Sequence, residues 1–198
     1  LPLAPAAPAA QTYCSNSAHT FVFDSVTAGS GADEVEWATN SSFTGSTTIN
    51  SGDSIVVSVN SGSTATIWLR SKSSAGCISG AVSTTAATLV LPVVAVTPAD
   101  TTVANGQQVT LTASGGESYD WPGLSLTTSS VTITAVNGTT FYLVIATGSN
   151  GCSAEDSAQV TGEPPLYAQS IVVIVPDSST ALTACTTDTL SLDITNDS

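Results

Sequence analysis

Apolar and polar residues alternate along most of this chain. In the stretch QQVTLTAS, Val109, Leu111 and Ala113 fall on one side of a pleat, and Thr110 and Thr112 fall on the other. A period of two is the repeat of a β-strand with one face buried. The same pattern runs through HTFVFDSV, DSIVVSVNS, ATIWLRS, SVTITAV, TFYLVIATG, QSIVVIVP and TLSLDIT. Between these runs lie AGSGAD, NSGDS, NSGS, ASGGES, NGTT and GSNG, clusters of residues that favour turns. Helical periodicity is hard to find. Many short strands at close spacing predict an all-β protein built as sandwiches.

The pattern also repeats. EVEWATNSSFTGS followed by ATIWLRSKSSAGCISG parallels SYDWPGLSLTTSS followed by TFYLVIATGSNGCSAED. Trp37 falls on Trp121 and Gly76-Cys77 on Gly151-Cys152, while Ile67 and Tyr142 stand equally far before their cysteines. Internal repeats outweigh local assignments, so the chain divides into modules. A Pro/Ala-rich segment at 1–10 is expected to stay extended and unpacked. A first module spans 11–93, a second 94–162, and LPVVAVTPAD joins them. The remainder, 163–198, holds two strand patterns and reads as an incomplete third β module or a donor-strand segment, since two strands alone are marginal. Its second strand, CTTDTLSLDI, parallels the opening of the first module, CSNSAHTFVF.

At this point the chain resembles a known group. NGQQVTLTASGGESYDWPGLSLTTSSVTITAVNGTTFYLVIATGSNGCSAEDSAQV is similar to the Ig-like and PKD-like repeats of large secreted and surface proteins of the Bacteroidota type. The closing segment is similar to related surface repeats that open with D-T-L-x-L-x-I-x-N. The resemblance implies tandem immunoglobulin-like β-sandwiches, and modules of this kind serve as spacers, adhesins and filament subunits alike. It also implies a cysteine where this chain has Ala104. The first module keeps both of the family's cysteines, so a Cys14–Cys77 bridge is expected. Cys152 and Cys185 then remain, to pair with each other across a module junction, to pair between chains, or to stay free.

Charge narrows the function. Lys and Arg number 2 against 15 Asp and Glu, for a net charge of −13. A surface that neutralises phosphates needs cations, so nucleic acid and anionic membranes are excluded as partners. No apolar run is long enough to cross a bilayer as a helix. The chain has no Met, and its start lacks a basic n-region, which suggests a mature, processed chain. Four cysteines without a C-x-x-C pair and a single histidine argue against zinc and for disulfides in an oxidising, extracellular setting.

Catalytic material is sparse. His19 lies in an alternating strand, and no G-x-S-x-G is present. Asp33, Glu34 and Glu36 cluster before Trp37 and read as a solvated turn, lacking the D-x-D-x-D-G run of a calcium loop. No enzyme activity, metal or cofactor is expected.

Three kinds of candidate site remain. Asp followed by Ser or Thr and a small or aliphatic residue resembles the O-glycan acceptor of Bacteroidota secreted proteins, and it occurs at Ser25, Ser54, Thr101, Ser157 and Thr189. N-x-S/T occurs at Asn40, Asn137 and Asn196. Trp37 and Trp121 are expected in cores, whereas Trp68 faces away from Ile67 and Leu69 and is expected at an interface beside Arg70. Finally, Ile171, Val173 and Val175, with Leu190 and Leu192, would form apolar strand faces in the incomplete module, open to pairing with another chain. These lead to an extracellular filament subunit assembled head to tail by strand complementation. The alternatives are a fragment of a multi-domain adhesin and a carbohydrate-binding module of a secreted enzyme. Self-association is the expected partnership, with other surface proteins or glycans as further candidates.

Overall fold

Alternation becomes architecture because one face of each strand must leave water. The computed structural model describes residues 1–164, which are all-β and form two sandwiches. Ile171, Val173, Val175, Cys185, Thr189, Leu190, Leu192 and Asn196, singled out above, lie outside the described residues, as does most of the incomplete third module.

The first sandwich contains β1 (Gln11–Cys14), β2 (His19–Phe23), β3 (Glu34–Ala38), β4 (Thr47–Asn50), β5 (Ile55–Val59), β6 (Ser63–Lys72) and β7 (Val82–Leu89). One sheet runs β1-β7-β6-β3-β4, and the pair β2-β5 lies across it. Strand β1 runs parallel to β7, with Gln11 opposite Ala86 and Cys14 opposite Leu89. Inside, Phe21, Phe23, Ile55, Val57 and Val59 pack on Val35, Ile67, Leu69 and Ala86. Each such side chain contributes roughly 1.5–3 kcal/mol when fully buried. Thr88 is buried on β7, and its hydroxyl donates to the Val59 carbonyl at 3.1 Å, stitching the two sheets together.

The second sandwich contains β8 (Ala95–Thr97), β9 (Asp100–Ala104), β10 (Gln108–Ser114), β11 (Ser118–Asp120), β12 (Ser130–Thr134), β13 (Gly138–Thr147) and β14 (Ser153–Glu163). Its sheets run β11-β13-β14-β9 and β12-β10-β8. Pro98 lies between β8 and β9. A residue without an N–H interrupts the ladder there, and the chain crosses from one sheet to the other. Val109, Leu111, Val131 and Ile133 face Val144, Ala158, Val160 and the fully buried Trp121.

One expectation needs correction. The segment at 1–10 does pack. Pro2 and Pro5 are buried, and the Leu3 amide donates to the Ser30 carbonyl at 3.0 Å. Gly29 makes room for it, because any Cβ there would collide with the Leu3 and Ala4 carbonyls. Gly115 does the same for Val93 ahead of the second sandwich. The proline-rich composition hid a segment that lies extended along its own sandwich.

Candidate functional site

The two sandwiches meet where β1 and β7 end and where β13 turns into β14. Here Cys14 is bonded to Cys152, with Cα atoms 5.7 Å apart and a sequence separation of 138. Polar bonds flank the bridge. The Leu91 amide donates to Asn16 Oδ1 at 3.0 Å, and Asn150 Nδ2 donates to the Val90 carbonyl at 2.8 Å. An open cleft of about 580 Å³ lies beside these residues, lined by Val90, Pro92, Gly116, Glu117, Ser149 and Asn150.

This overturns the expected Cys14–Cys77 bridge, and it takes Cys152 out of the alternatives left open for it with Cys185. Cys14 stands opposite Leu89, whereas Cys77 lies in the β6–β7 turn, beyond Val82 at the other end of the same sheet. Seven residues of strand span roughly 23 Å, and a disulfide needs Cα atoms within about 7 Å. The resemblance places Cys14 as though it opened a strand of the facing sheet; it closes an edge strand instead. Cys77 is an exposed free cysteine.

The outer face of the first sandwich carries both of the chain's cations. Arg70 Nε meets Glu36 Oε2 at 2.7 Å, and Lys72 Nζ meets Glu34 Oε2 at 3.2 Å. The Arg70 guanidinium also sits 4.1 Å over the Phe43 ring, a cation–π contact. The Arg70 bond holds the Glu36 carboxyl below the usual range, against the opposing effect of burial, and the Ser46 hydroxyl donates to the same carboxylate. Glu34 and Glu36 are thus committed to ion pairs and do not form a cation loop with Asp33. Among the described residues no three His, Cys, Asp or Glu side chains converge. Ile67 and Leu69 do point inward, and Trp68 faces outward on the side of Arg70, half-buried. His19 stacks on Tyr13 at 3.7 Å and meets Phe21 edge-on.

The glycan candidates divide by position. Ser25 and Ser54 are exposed neighbours at one end of the β2–β5 pair, where Phe23 stands opposite Ile55. Ser54 Oγ donates to Asp24 Oδ1 at 2.9 Å, and Ser25 takes a positive φ of 53°. In both D-S-V and D-S-I the third residue, Val26 or Ile55, is buried. Ser157 is exposed on β14, opposite Leu143, and Thr101 is half-buried on β9. Asn137 is exposed, while the Asn40 side chain is engaged in its own turn with Thr44.

One surface escaped the sequence reading. β11 pairs with β13 only over Ile145–Thr147, because Pro122 lies two residues beyond Asp120 and cannot extend a ladder. Among the described residues no strand pairs with Gly138–Val144 on that side. The same stretch exposes Phe141 at 68% and Leu143 at 41%. Pro122, Gly123 and Leu124 border a hollow of about 240 Å³ beside them. The signal was present in T-F-Y-L-V, where four apolar residues run without alternation.

No protein-family model matches the chain, and no curated protein matches it in sequence. Among solved structures, the chain is similar to the fibronectin(III)-like modules of Clostridium thermocellum CbhA, at 14% identity and a TM-score of 0.42, covering 79% of this chain and 91% of that one. It is also similar to the N-terminal four Ig domains of Dscam1, at 15% identity and 0.36, covering 81% of this chain and 46% of that one. A third similarity is to a structure concerned with host cell surface retention of a 1.5-MDa bacterial ice-binding adhesin, at 15% and 0.35, covering 77% and 60%. The chain therefore spans less than two thirds of the Dscam1 and adhesin chains.

Proposed function

We propose that this protein is a non-catalytic structural subunit of an extracellular bacterial filament, joined head to tail by β-strand complementation. The observation that carries this reading is the edge of β13, which no strand among the described residues pairs over Gly138–Val144 and which exposed Phe141 and Leu143 border. Unpaired strand edges recruit strands from other chains. In the sequence, 171–175 is an unbroken apolar run and Leu190 and Leu192 flank the polar Ser191, apolar side chains of the kind a donor strand inserts. The disulfide supports an oxidising, extracellular location. The outward position of Trp68 gives the first sandwich a second contact surface.

The test is size-exclusion chromatography with light scattering, followed by negative-stain imaging, of the wild-type chain and the pair Phe141→Ser, Leu143→Ser. Concentration-dependent rods that the double variant loses, with unchanged melting, support the reading. A wild-type chain that stays monomeric at all concentrations overturns it.

A second reading draws on the repeat. The two sandwiches use corresponding leading segments and are tied covalently, which suits concatenation in a multi-module adhesin. Rigid two-module particles that bind cells without self-assembling would favour it.

A further inference from the structure

The Cys14–Cys152 bridge is one instance of a rule that the repeat extends. Leu1–Cys14 aligns with Leu91–Ala104 at one constant offset, matching Leu-Pro at the start, then Pro8 with Pro98, Ala9 with Ala99 and Thr12 with Thr102. The strands that close these segments are also equivalent. Each runs parallel to the last strand of its sandwich, ending with Cys14 opposite Leu89 and Ala104 opposite Glu163. Cys14 is therefore the residue that closes the edge strand of a module.

Its partner has a twin as well. In the first sandwich the Ser73 amide donates to the Cys77 carbonyl at 2.9 Å, and the Gly76 amide donates to the Ser73 carbonyl at 2.8 Å. In the second, the Gly148 amide donates to the Cys152 carbonyl at 2.8 Å, and the Gly151 amide donates to the Gly148 carbonyl at 2.9 Å. Gly76 and Gly151 share a φ of 81°. The two turns have one geometry. In one, the cysteine is bonded to the closing cysteine of the module ahead of it; in the other it is exposed and free. Cys77 is thus not an isolated thiol but the second copy of a turn whose first copy shows what it takes.

The sequence supplies a matching donor. Cys185 follows Thr183 as Cys14 follows Thr12, with one residue between. Leu190, Leu192 and Ile194 stand five, seven and nine residues after it, where His19, Phe21 and Phe23 follow Cys14 and Val109, Leu111 and Ala113 follow Ala104. Upstream, V-V-I-V-P parallels the V-V-A-V-T-P that leads into the second sandwich. In the sequence pattern, Cys185 thus corresponds to Cys14.

We propose that Cys185 of one copy forms a disulfide with Cys77 of the next, repeating between chains the geometry of Cys14–Cys152 within one. This rests on the head-to-tail reading and adds its covalent lock. The chemistry is thiol–disulfide exchange with an oxidised disulfide carrier. The thiolate of one cysteine attacks the carrier's S–S bond and expels one carrier thiol. The second cysteine then attacks that mixed disulfide, expels the other carrier thiol and leaves the Cys77–Cys185 bond. Two protein thiols are oxidised and one carrier disulfide is reduced.

The experiment uses the full 198-residue chain, equal parts of unlabelled and ¹⁵N-labelled protein, oxidised in a glutathione/glutathione disulfide buffer. We expect a ladder of covalent oligomers on non-reducing gels. We also expect Cys77–Cys185 cross-linked peptides, about half carrying one label of each kind, alongside unmixed Cys14–Cys152 peptides. Cys77→Ser and Cys185→Ser should each abolish the ladder while Cys14–Cys152 persists. Three results would overturn the proposal: a ladder that survives both variants, Cys77–Cys185 peptides that never mix labels, or rods in which Cys77 remains fully alkylatable without reductant. The last leaves strand-linked assembly standing, whereas loss of both rods and ladder removes both.

Discussion

The two sandwiches share a plan and differ in how one edge is finished. In the first, β3 pairs with β6 over five residues, and β4 covers β3 in turn. The first half of β6 is Ser-Thr-Ala-Thr, and two ion pairs occupy the outer face beyond it. In the second, β11 stops after three residues at Pro122, and the corresponding half of β13 carries Phe141 and Leu143 outward. Among the described residues both units leave the start of the long strand unpaired on that side, Ser63–Ile67 in the first and Gly138–Val144 in the second; the first lines it mainly with polar side chains, the second with exposed apolar ones. The framework tolerates both, because the core depends on the inward residues alone. What varies between repeats is where contact with other chains can be placed.

The cores differ too, at equivalent tryptophans. Trp121 is fully buried, and its Nε1 donates to the Thr128 carbonyl at 2.9 Å. Trp37 only packs against the edge of its core, and its buried Nε1 meets no acceptor among the described residues. Replacing Trp121 by Ala should therefore cost about 4 kcal/mol through the cavity and the lost bond. Trp37→Ala should cost about half as much, by the smaller area returned to water. Urea unfolding read by fluorescence of the remaining tryptophans measures both, and equal losses would erase the distinction between the two cores.

The next effect belongs to the bridge between the units. Cys14→Ser should destabilise by about 3 kcal/mol; chain entropy for so long a loop gives an upper figure of ~5 kcal/mol. The loss should appear in calorimetry as a separation of two transitions, one per sandwich. A single transition at the wild-type temperature would mean that the non-covalent junction couples them unaided.

The smallest effect tests the polar face. Glu36 has its carboxyl held low by Arg70, so the stability it supplies is complete above the unfolded value of about 4.3. It is lost as pH falls through the lower folded value. Solvent screens the pair, which limits it to about 1 kcal/mol. Arg70→Ala should lower stability by that amount at pH 7 and flatten the acid slope between about pH 5 and 3. An unchanged slope would show that the ion pair does not distinguish the first face energetically.

Much of the fold was legible because alternation reports burial directly. Val109, Leu111 and Ala113 were readable as an inner face, and so were Ile67 and Leu69. The repeated Trp and Gly-Cys positions showed that one unit occurs twice. The disulfide was not legible, since it joins two units whose contact depends on how the chain leaves one and enters the next. Proline-rich Leu1–Ala10 gave no alternation to read, although it packs as the segment before the second sandwich does. The exposure of Phe141 and Leu143 was not legible, because T-F-Y-L-V is apolar on both faces. Hydrophobicity alone does not separate a strand covered on both sides from one awaiting a cover.

The position of the bridge has a mechanical meaning. Tension applied between Leu1 and Glu163 would run along the first strand to Cys14, cross the sulfurs to Cys152, and leave along β14. The intervening chain, nearly all of both sandwiches, carries none of that load. A chain wired this way extends between these points only by the residues outside the loop and then stops, behaving under stretch as a short inextensible link rather than as two domains that unravel in turn.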